Sequence, residues 1–210
     1  KSNIKSMKLI GNPIREEIYK ISSPSKRFSG RKGPLRILVL GGSLGAQQFN
    51  NYLPKIFNDI SEKKAITIIH QSGDKHHDEL IKNYAHYNLK VEIKKFIYDM
   101  DKKYEWADLI IARSGALTVS EVCEAGIASI LLPYPYAVDN HQLFNAKIIK
   151  NKKGGFIVLQ ENMMMELKSM LSNITRKQCL IMANNVKNKK RQNAAKDIFN
   201  YCVKILGYEK

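Results

Sequence analysis

Four apolar residues in a row, Leu109-Ile-Ile-Ala112, stop abruptly at Arg113-Ser114-Gly115, and the pattern then changes period. A short continuous apolar run reads as a strand buried on both faces of a parallel sheet. From Ala116 the apolar positions fall at Leu117, Val119, Val122 and Cys123, a helical spacing that continues to Ala125. A strand, a tight glycine turn and a helix start leave backbone N–H groups free at the carboxyl edge of a sheet. Those amides and the helix dipole both favour an anion such as phosphate.

Thr118 and Glu121 lie three apart and share one face of the first helical turns. A carboxylate does not hold phosphate, but it can accept hydrogen bonds from two vicinal hydroxyls, as on a ribose. The local chemistry suits a nucleotide gripped by its pyrophosphate and its sugar. The same spacing also suits an ordinary strand–helix unit with a solvated Glu121, and the residues alone leave both readings open.

The rest of the chain repeats this unit. Leu35-Arg-Ile-Leu-Val-Leu40 is a strand that runs into Gly41-Gly-Ser-Leu-Gly45, and a helix follows from Ala46 to about Ser61. Strands are also expected at Ala65–Ile69, Lys90–Phe96, Ile127–Leu132 and Gly155–Val158, with a polar helix at Asp74–Tyr87 and another at about Asn140–Lys150. Glu161–Ile174 and Arg176–Leu206 read as closing helices. Gly11–Arg15 is a turn before a short helical stretch, and Ser22–Pro34, rich in Ser, Gly, Pro and basic residues, reads as an exposed linker. Ile97–Met100 reads as irregular. Alternation of strand and helix argues for a doubly wound parallel sheet, whose ligands lie beyond the carboxyl ends of the strands. Each marked motif follows a strand, so all should converge on one edge.

Composition narrows the function classes. The net charge is +16 over 210 residues, which suits nucleic acid, an anionic membrane surface or a phosphorylated substrate. Its Lys residues are scattered, and Lys187-Asn-Lys-Lys-Arg191 is the densest cluster, read as a solvated helical face. Three cysteines without a C-x-x-C pair fit a reducing compartment. No apolar run approaches a membrane span. The chain begins at Lys1 and not at Met, and its first ten residues read as continuing from something upstream. Gly41–Gly45 lacks the G-x-G-x-x-G spacing, and His70-Gln71 stand where an acidic residue would end the second strand, which disfavours an NAD enzyme. No Walker A loop, nucleophile elbow or metal-ligand spacing is present, so no metal and no cofactor are expected. Asp139-Asn-His-Gln142, with Asn145 a turn later, offers amides and an imidazole for sugar hydroxyls, or simply a helix cap.

Taken in order, several stretches resemble the carboxyl-terminal half of the MurG family. These are Gly11-Asn-Pro-Ile-Arg15, Gly41–Ala46, His70-Gln-Ser-Gly73, Phe96–Met100, Ala107-Asp108, Arg113–Glu121 and Asp139–Gln142 with Asn145-Ala146. The match runs from about Ile10 to Gly155. The family comprises bacterial glycosyltransferases that add N-acetylglucosamine to the lipid-linked muramyl-pentapeptide precursor of peptidoglycan.

The resemblance implies a GT-B fold, two Rossmann-like domains facing a cleft, of which this chain is the donor domain. It implies a linker and leading segment over 1–33, the UDP-sugar domain over 34–175 and terminal helices over 176–210. It places Arg15 and Ser43 on the donor, Ile97 on uracil, the helix start Ala116, Leu117 and Thr118 at the diphosphate, and Val119 and Ser120 among the substrate-binding residues. Glu121 would hold the ribose, and His141, Gln142 and Asn145 the sugar. The implied partners are UDP-N-acetylglucosamine, the lipid-linked acceptor, an amino-terminal domain and the anionic inner membrane surface, met peripherally from the cytoplasm, with no nucleic acid. The catalytic base belongs to the amino-terminal half of the family, so none is named, and the chain by itself is expected to bind UDP-sugar weakly and to transfer nothing. Rivals are a UDP-N-acetylglucosamine 2-epimerase or glycolipid glycosyltransferase of the same fold, and a non-catalytic basic module binding RNA or anionic lipid.

Overall fold

The computed structural model describes residues 10–42, 46–188 and 193–206. Among them, one parallel sheet contains β1 (Leu35–Leu40), β2 (Ile66–Gln71), β3 (Val91–Lys94), β4 (Leu109–Ala112), β5 (Ala128–Leu131) and β6 (Gly155–Ile157). The strand order is β3-β2-β1-β4-β5-β6. The α-helices are α1 (Pro24–Phe28), α2 (Gln47–Ser61), α3 (His77–Ala85), α4 (Met100–Trp106), α5 (Ala116–Ala125), α6 (His141–Asn151), α7 (Lys168–Asn173), α8 (Arg176–Val186) and α9 (Ala194–Ile205). This is the doubly wound α/β architecture that the alternation of elements implies.

The apolar runs are continuous because consecutive residues go to opposite layers. Ile37, Val39, Leu109 and Ile111 join a core with α2, α3, α7 and α8. Leu38, Leu40, Ile110 and Ala112 join a second core with α4, α5, α6 and the 3-10 turn Glu16–Lys20. A central strand that must satisfy two layers has no solvent face to mark with polar residues. The chain winds outward from β1 to β3, returns to β4 beside β1, and winds outward again to β6. Its direction reverses between β1 and β4, and a crevice opens beyond their carboxyl ends.

Three stretches depart from the sequence expectation. Ser22–Pro34, mostly exposed as expected, contains the short helix α1, capped by Ser23 on the Lys26 N–H, which buries Arg27 and Phe28. Arg27 donates to the carbonyl oxygens of Tyr104 and Gly126, and burial lowers its pKa to about 10. Basic residues that suggest solvent therefore serve as donors to buried carbonyls. Met100–Trp106 forms α4, whose buried Met100 and Tyr104 amount to a single turn of pattern, too little to register a period. Lys187 lies past the end of α8; its ammonium reaches the Glu124 carbonyl oxygen and sits 3.8 Å from the Glu124 carboxylate. Its side chain is half-buried and burial lowers its pKa, while Lys189, Lys190 and Arg191 lie outside the described residues.

Candidate functional site

β1 and β4 end side by side, β1 passing directly to Gly41 and β4 reaching Gly115 after Arg113 and Ser114. Gly42 takes φ +86°, a backbone that L side chains rarely adopt. Gln71, ending β2, pins this turn by donating Nε2–H to the Gly42 carbonyl at 2.9 Å. After β4, Gly115 is the N-cap of α5, with extended backbone and no side-chain cap. The Val119 N–H closes onto the Gly115 carbonyl at 3.0 Å. The amides of Ala116, Leu117 and Thr118 precede that bond and belong to the uncapped helix start.

Two hollows meet at this point. The first, of 440 Å³, is lined by apolar Ile14, Phe96, Ile97, Met100 and Leu117, with Arg15, Gln71, Tyr104 and Glu121 as its polar members. The second, of 630 Å³, is lined by Gly41, Gln47, Gln48, His76, Arg113, Gly115, Tyr134, Tyr136, Gln142 and Gln160. Gly42 and Thr118 line both. The pair thus forms one trough across the reversal point, apolar with a carboxylate at one end, and amides, phenols and a cation at the other.

Glu121 is held from two sides. Only 6% exposed, its carboxylate accepts Arg15 Nε–H on Oε1 and Nη2–H on Oε2, each at 2.9 Å. Tyr104 donates its hydroxyl to Oε2, also at 2.9 Å. Burial first, and then the neighbouring carboxylate, raise the Tyr104 pKa well above the ordinary phenol value, so Tyr104 stays a neutral donor.

Arg113 braces the other end. Its guanidinium donates to the carbonyls of Leu132 at 3.1 Å and Pro133 at 3.2 Å, and to Gln160 Oε1 at 2.6 Å. It also lies 4.7 Å over the Phe49 ring and 5.5 Å from the Tyr134 ring centre. Burial lowers its pKa to about 10, which leaves it charged at neutral pH. Arg113 therefore fixes the loop after β5 and sets a positive charge at the wall of the second hollow.

Asp139 and Asn140 both take left-handed backbone, φ 50° and 52°, to turn the chain into α6. His141 Nδ1 lies 2.7 Å from the Val138 carbonyl, which can only accept, so Nδ1 carries a proton. Gln142 Oε1 accepts the Tyr134 N–H at 3.0 Å, and its carbonyl accepts Ser114 Oγ–H at 2.8 Å. Asn145 Nδ2 donates to the Ser114 carbonyl at 3.0 Å. These bonds lace α6 to the turn after β4.

The expected site residues are accordingly divided. Arg15, Ile97, Leu117, Thr118 and Glu121 line the first hollow, Thr118 and Gln142 the second, and Ala116 is exposed at the helix start. Val119 is turned into the core at 3% exposure, and Ser120 faces away, accepting from Asn12 at 3.0 Å and donating to the Ala116 carbonyl. Both belong to the helix start in sequence, but its 3.6-residue period carries them off the crevice. Asn145 acts on the Ser114 backbone and lines neither hollow, nor does exposed His141. Ser43 lies outside the described residues. Gln71, Tyr134 and Tyr136 were not foreseen, although each follows or ends a strand at the edge where ligands bind. Tyr104 carries no such signal. Among the described residues, no group of three or more His, Cys, Asp or Glu is placed to hold a metal ion.

Residues 36–199 match the glycosyltransferase family 28 C-terminal domain. A curated protein of Dechloromonas aromatica is 41% identical over 202 residues, covering 96% of this chain and 57% of that protein. One of Wigglesworthia glossinidia brevipalpis is 42% identical over 206 residues, covering 97% and 56%. Both are named UDP-N-acetylglucosamine–N-acetylmuramyl-(pentapeptide) pyrophosphoryl-undecaprenol N-acetylglucosamine transferase. The crystal structure of Acinetobacter baumannii MurG superposes with a TM-score of 0.80 at 33% identity, covering 89% of this chain and 55% of that one. The chain spans a little more than half the length of the curated relatives it matches.

Proposed function

The chain belongs to the glycosyltransferase family 28 C-terminal domain family, and we propose that it is the donor-binding half of an inverting N-acetylglucosaminyltransferase of peptidoglycan synthesis. The donor is UDP-N-acetylglucosamine and the acceptor the lipid-linked muramyl-pentapeptide. One observation carries the reading: the apolar hollow with the Glu121 carboxylate and the polar hollow beside the uncapped start of α5 join at Gly42 and Thr118. A base, a ribose, a diphosphate and a sugar require those environments in that order.

In this reading uracil packs on Ile97, the ribose hydroxyls go to Glu121, and the diphosphate meets the amides of Ala116, Leu117 and Thr118. Gln142, whose side-chain oxygen accepts the Tyr134 N–H, offers its amide N–H to the sugar, with the neighbouring His141 ring as a further polar contact. Asn145 acts through Ser114. Ser43 is assigned to the pyrophosphate by its motif alone. The acceptor hydroxyl attacks the anomeric carbon on the face opposite the diphosphate. The C–O bond to the β-phosphate breaks, UDP leaves with the electron pair, and the hydroxyl proton passes to a base in the amino-terminal half. The helix dipole, Arg15 and the fixed Arg113 cation oppose the charge that grows on UDP.

The amino-terminal half would also bring most of the membrane contact, and the net charge of +16 would add attraction to the anionic inner leaflet. Among the described residues, no helix is long and apolar enough to cross a membrane. The test is transfer of labelled N-acetylglucosamine from UDP to a lipid-linked muramyl-pentapeptide, with this chain joined to its amino-terminal half. Labelled lipid supports the reading. Epimerised UDP-sugar, or no labelled lipid, contradicts it.

A further inference from the structure

We infer that Tyr104 is a positioning residue that lets Glu121 exchange its Arg15 partner for a ribose. This rests on the nucleotide-sugar reading above and deepens it, by naming how the site tells ribose from deoxyribose.

A carboxylate offers about four lone-pair positions. On Glu121, Arg15 takes one on each oxygen, and Tyr104 takes the second on Oε2. Arg15 Nη2 also lies 2.9 Å from Oε1, so the guanidinium covers both oxygens. Two vicinal hydroxyls need two positions, so a ribose held by both hydroxyls displaces the Arg15 fork. The partners differ in their freedom to leave. The Arg15 side chain is 44% exposed, whereas Tyr104 is 1% exposed and anchored in the core beside Ile97 and Met100. Arg15 can swing along the same hollow toward Gly42 and Thr118, where the diphosphate would lie. Tyr104 stays.

That difference has an energetic consequence. Glu121 is buried, and stripping a buried carboxylate of its partners is costly. With the Tyr104 hydroxyl fixed on Oε2, the carboxylate keeps one donor and its orientation while Arg15 exchanges. The Arg15 cation then moves from one anion to another, and the hydroxyl pair takes the positions it vacates. Without Tyr104 the carboxylate can rotate, and the second hydroxyl loses its acceptor.

The experiment is a titration of the 210-residue chain, followed by amide NMR shifts, with UDP, 2′-deoxy-UDP, ADP and uridine. The wild-type chain is expected to prefer UDP to 2′-deoxy-UDP by about tenfold, the worth of a hydrogen bond to a charged group. In Tyr104→Phe that preference should fall to about twofold or less, with 2′-deoxy-UDP affinity and the overall spectrum little changed. An unchanged preference, or equal weakening of both ligands, overturns the inference and leaves the donor reading standing. Equal binding of UDP and ADP by the wild-type chain, or no binding of any ligand, overturns both. Arg15→Met gives an independent arm should Tyr104→Phe not fold. Removing the competitor should tighten uridine and weaken UDP. If uridine weakens alongside UDP, Arg15 is not exchanged and the inference fails.

Discussion

Arg31 crosses 77 positions of sequence to meet Asp108, donating Nη1–H to Oδ1 at 2.7 Å. The Asp108 carboxylate is fully buried, and its other oxygen accepts the Arg36 N–H and Arg176 Nε–H, each at 3.0 Å. The segment before β1, the first strand and the start of α8 are therefore tied to one anion. Asp108→Ala leaves the two guanidinium groups without it and should cost about 3 kcal/mol or more, read as a lower urea midpoint. A loss under about 0.5 kcal/mol would show the three segments to be held by packing alone.

Stability should also fall in mild acid through His70. The ring is fully buried, with Nδ1 2.9 Å from the Tyr84 hydroxyl and Nε2 without a partner among the described residues, and burial lowers its pKa to about 3. An unfolded histidine titrates near pH ~6.5, so below that pH the unfolded chain binds a proton the folded chain refuses. This contribution is intact above pH ~6.5 and is lost as pH falls toward 3, by up to about 1.4 kcal/mol per pH unit. Urea midpoints at three pH values should show a shallower acid slope in His70→Gln than in the wild-type chain. Equal slopes would assign the acid sensitivity to other groups.

Arg113→Lys separates a positioned fork from a simple charge. A lysine ammonium cannot serve the Leu132 and Pro133 carbonyls and Gln160 together as the guanidinium does. The loop after β5 should loosen, lowering stability by about 1–3 kcal/mol and weakening UDP by about tenfold while uridine changes little. Comparing the two ligands in one titration series checks this. An equal effect on both would place Arg113 in the scaffold only.

The fold was legible where the physics is local. β1, β4 and α5 have the bounds that their apolar runs and glycine turns imply, because a strand buried on both faces and a helix entered through glycine are each written in a few consecutive residues. α4 escaped notice because seven residues hold too little of a period, and Ser22–Pro34 because basic side chains that read as solvent-seeking bind carbonyls instead. The site was half legible. Strand ends could be marked, since open sheets bind ligands there, but the Arg15–Glu121 pair spans 106 positions and no pattern within either stretch predicts it. Val119 and Ser120 were carried over with a whole helix start, although only one face of that start borders the crevice.

The central claim, a uridine-nucleotide site resting on Glu121, is tested most directly by calorimetric titration with UDP-N-acetylglucosamine, UDP and ADP, on the wild-type chain and on Glu121→Ala. The expected result is binding confined to the two uridine ligands and weakened at least about tenfold in the variant, with its thermal unfolding still cooperative. ADP binding as well as UDP, or Glu121→Ala binding UDP like the wild-type chain, would contradict it.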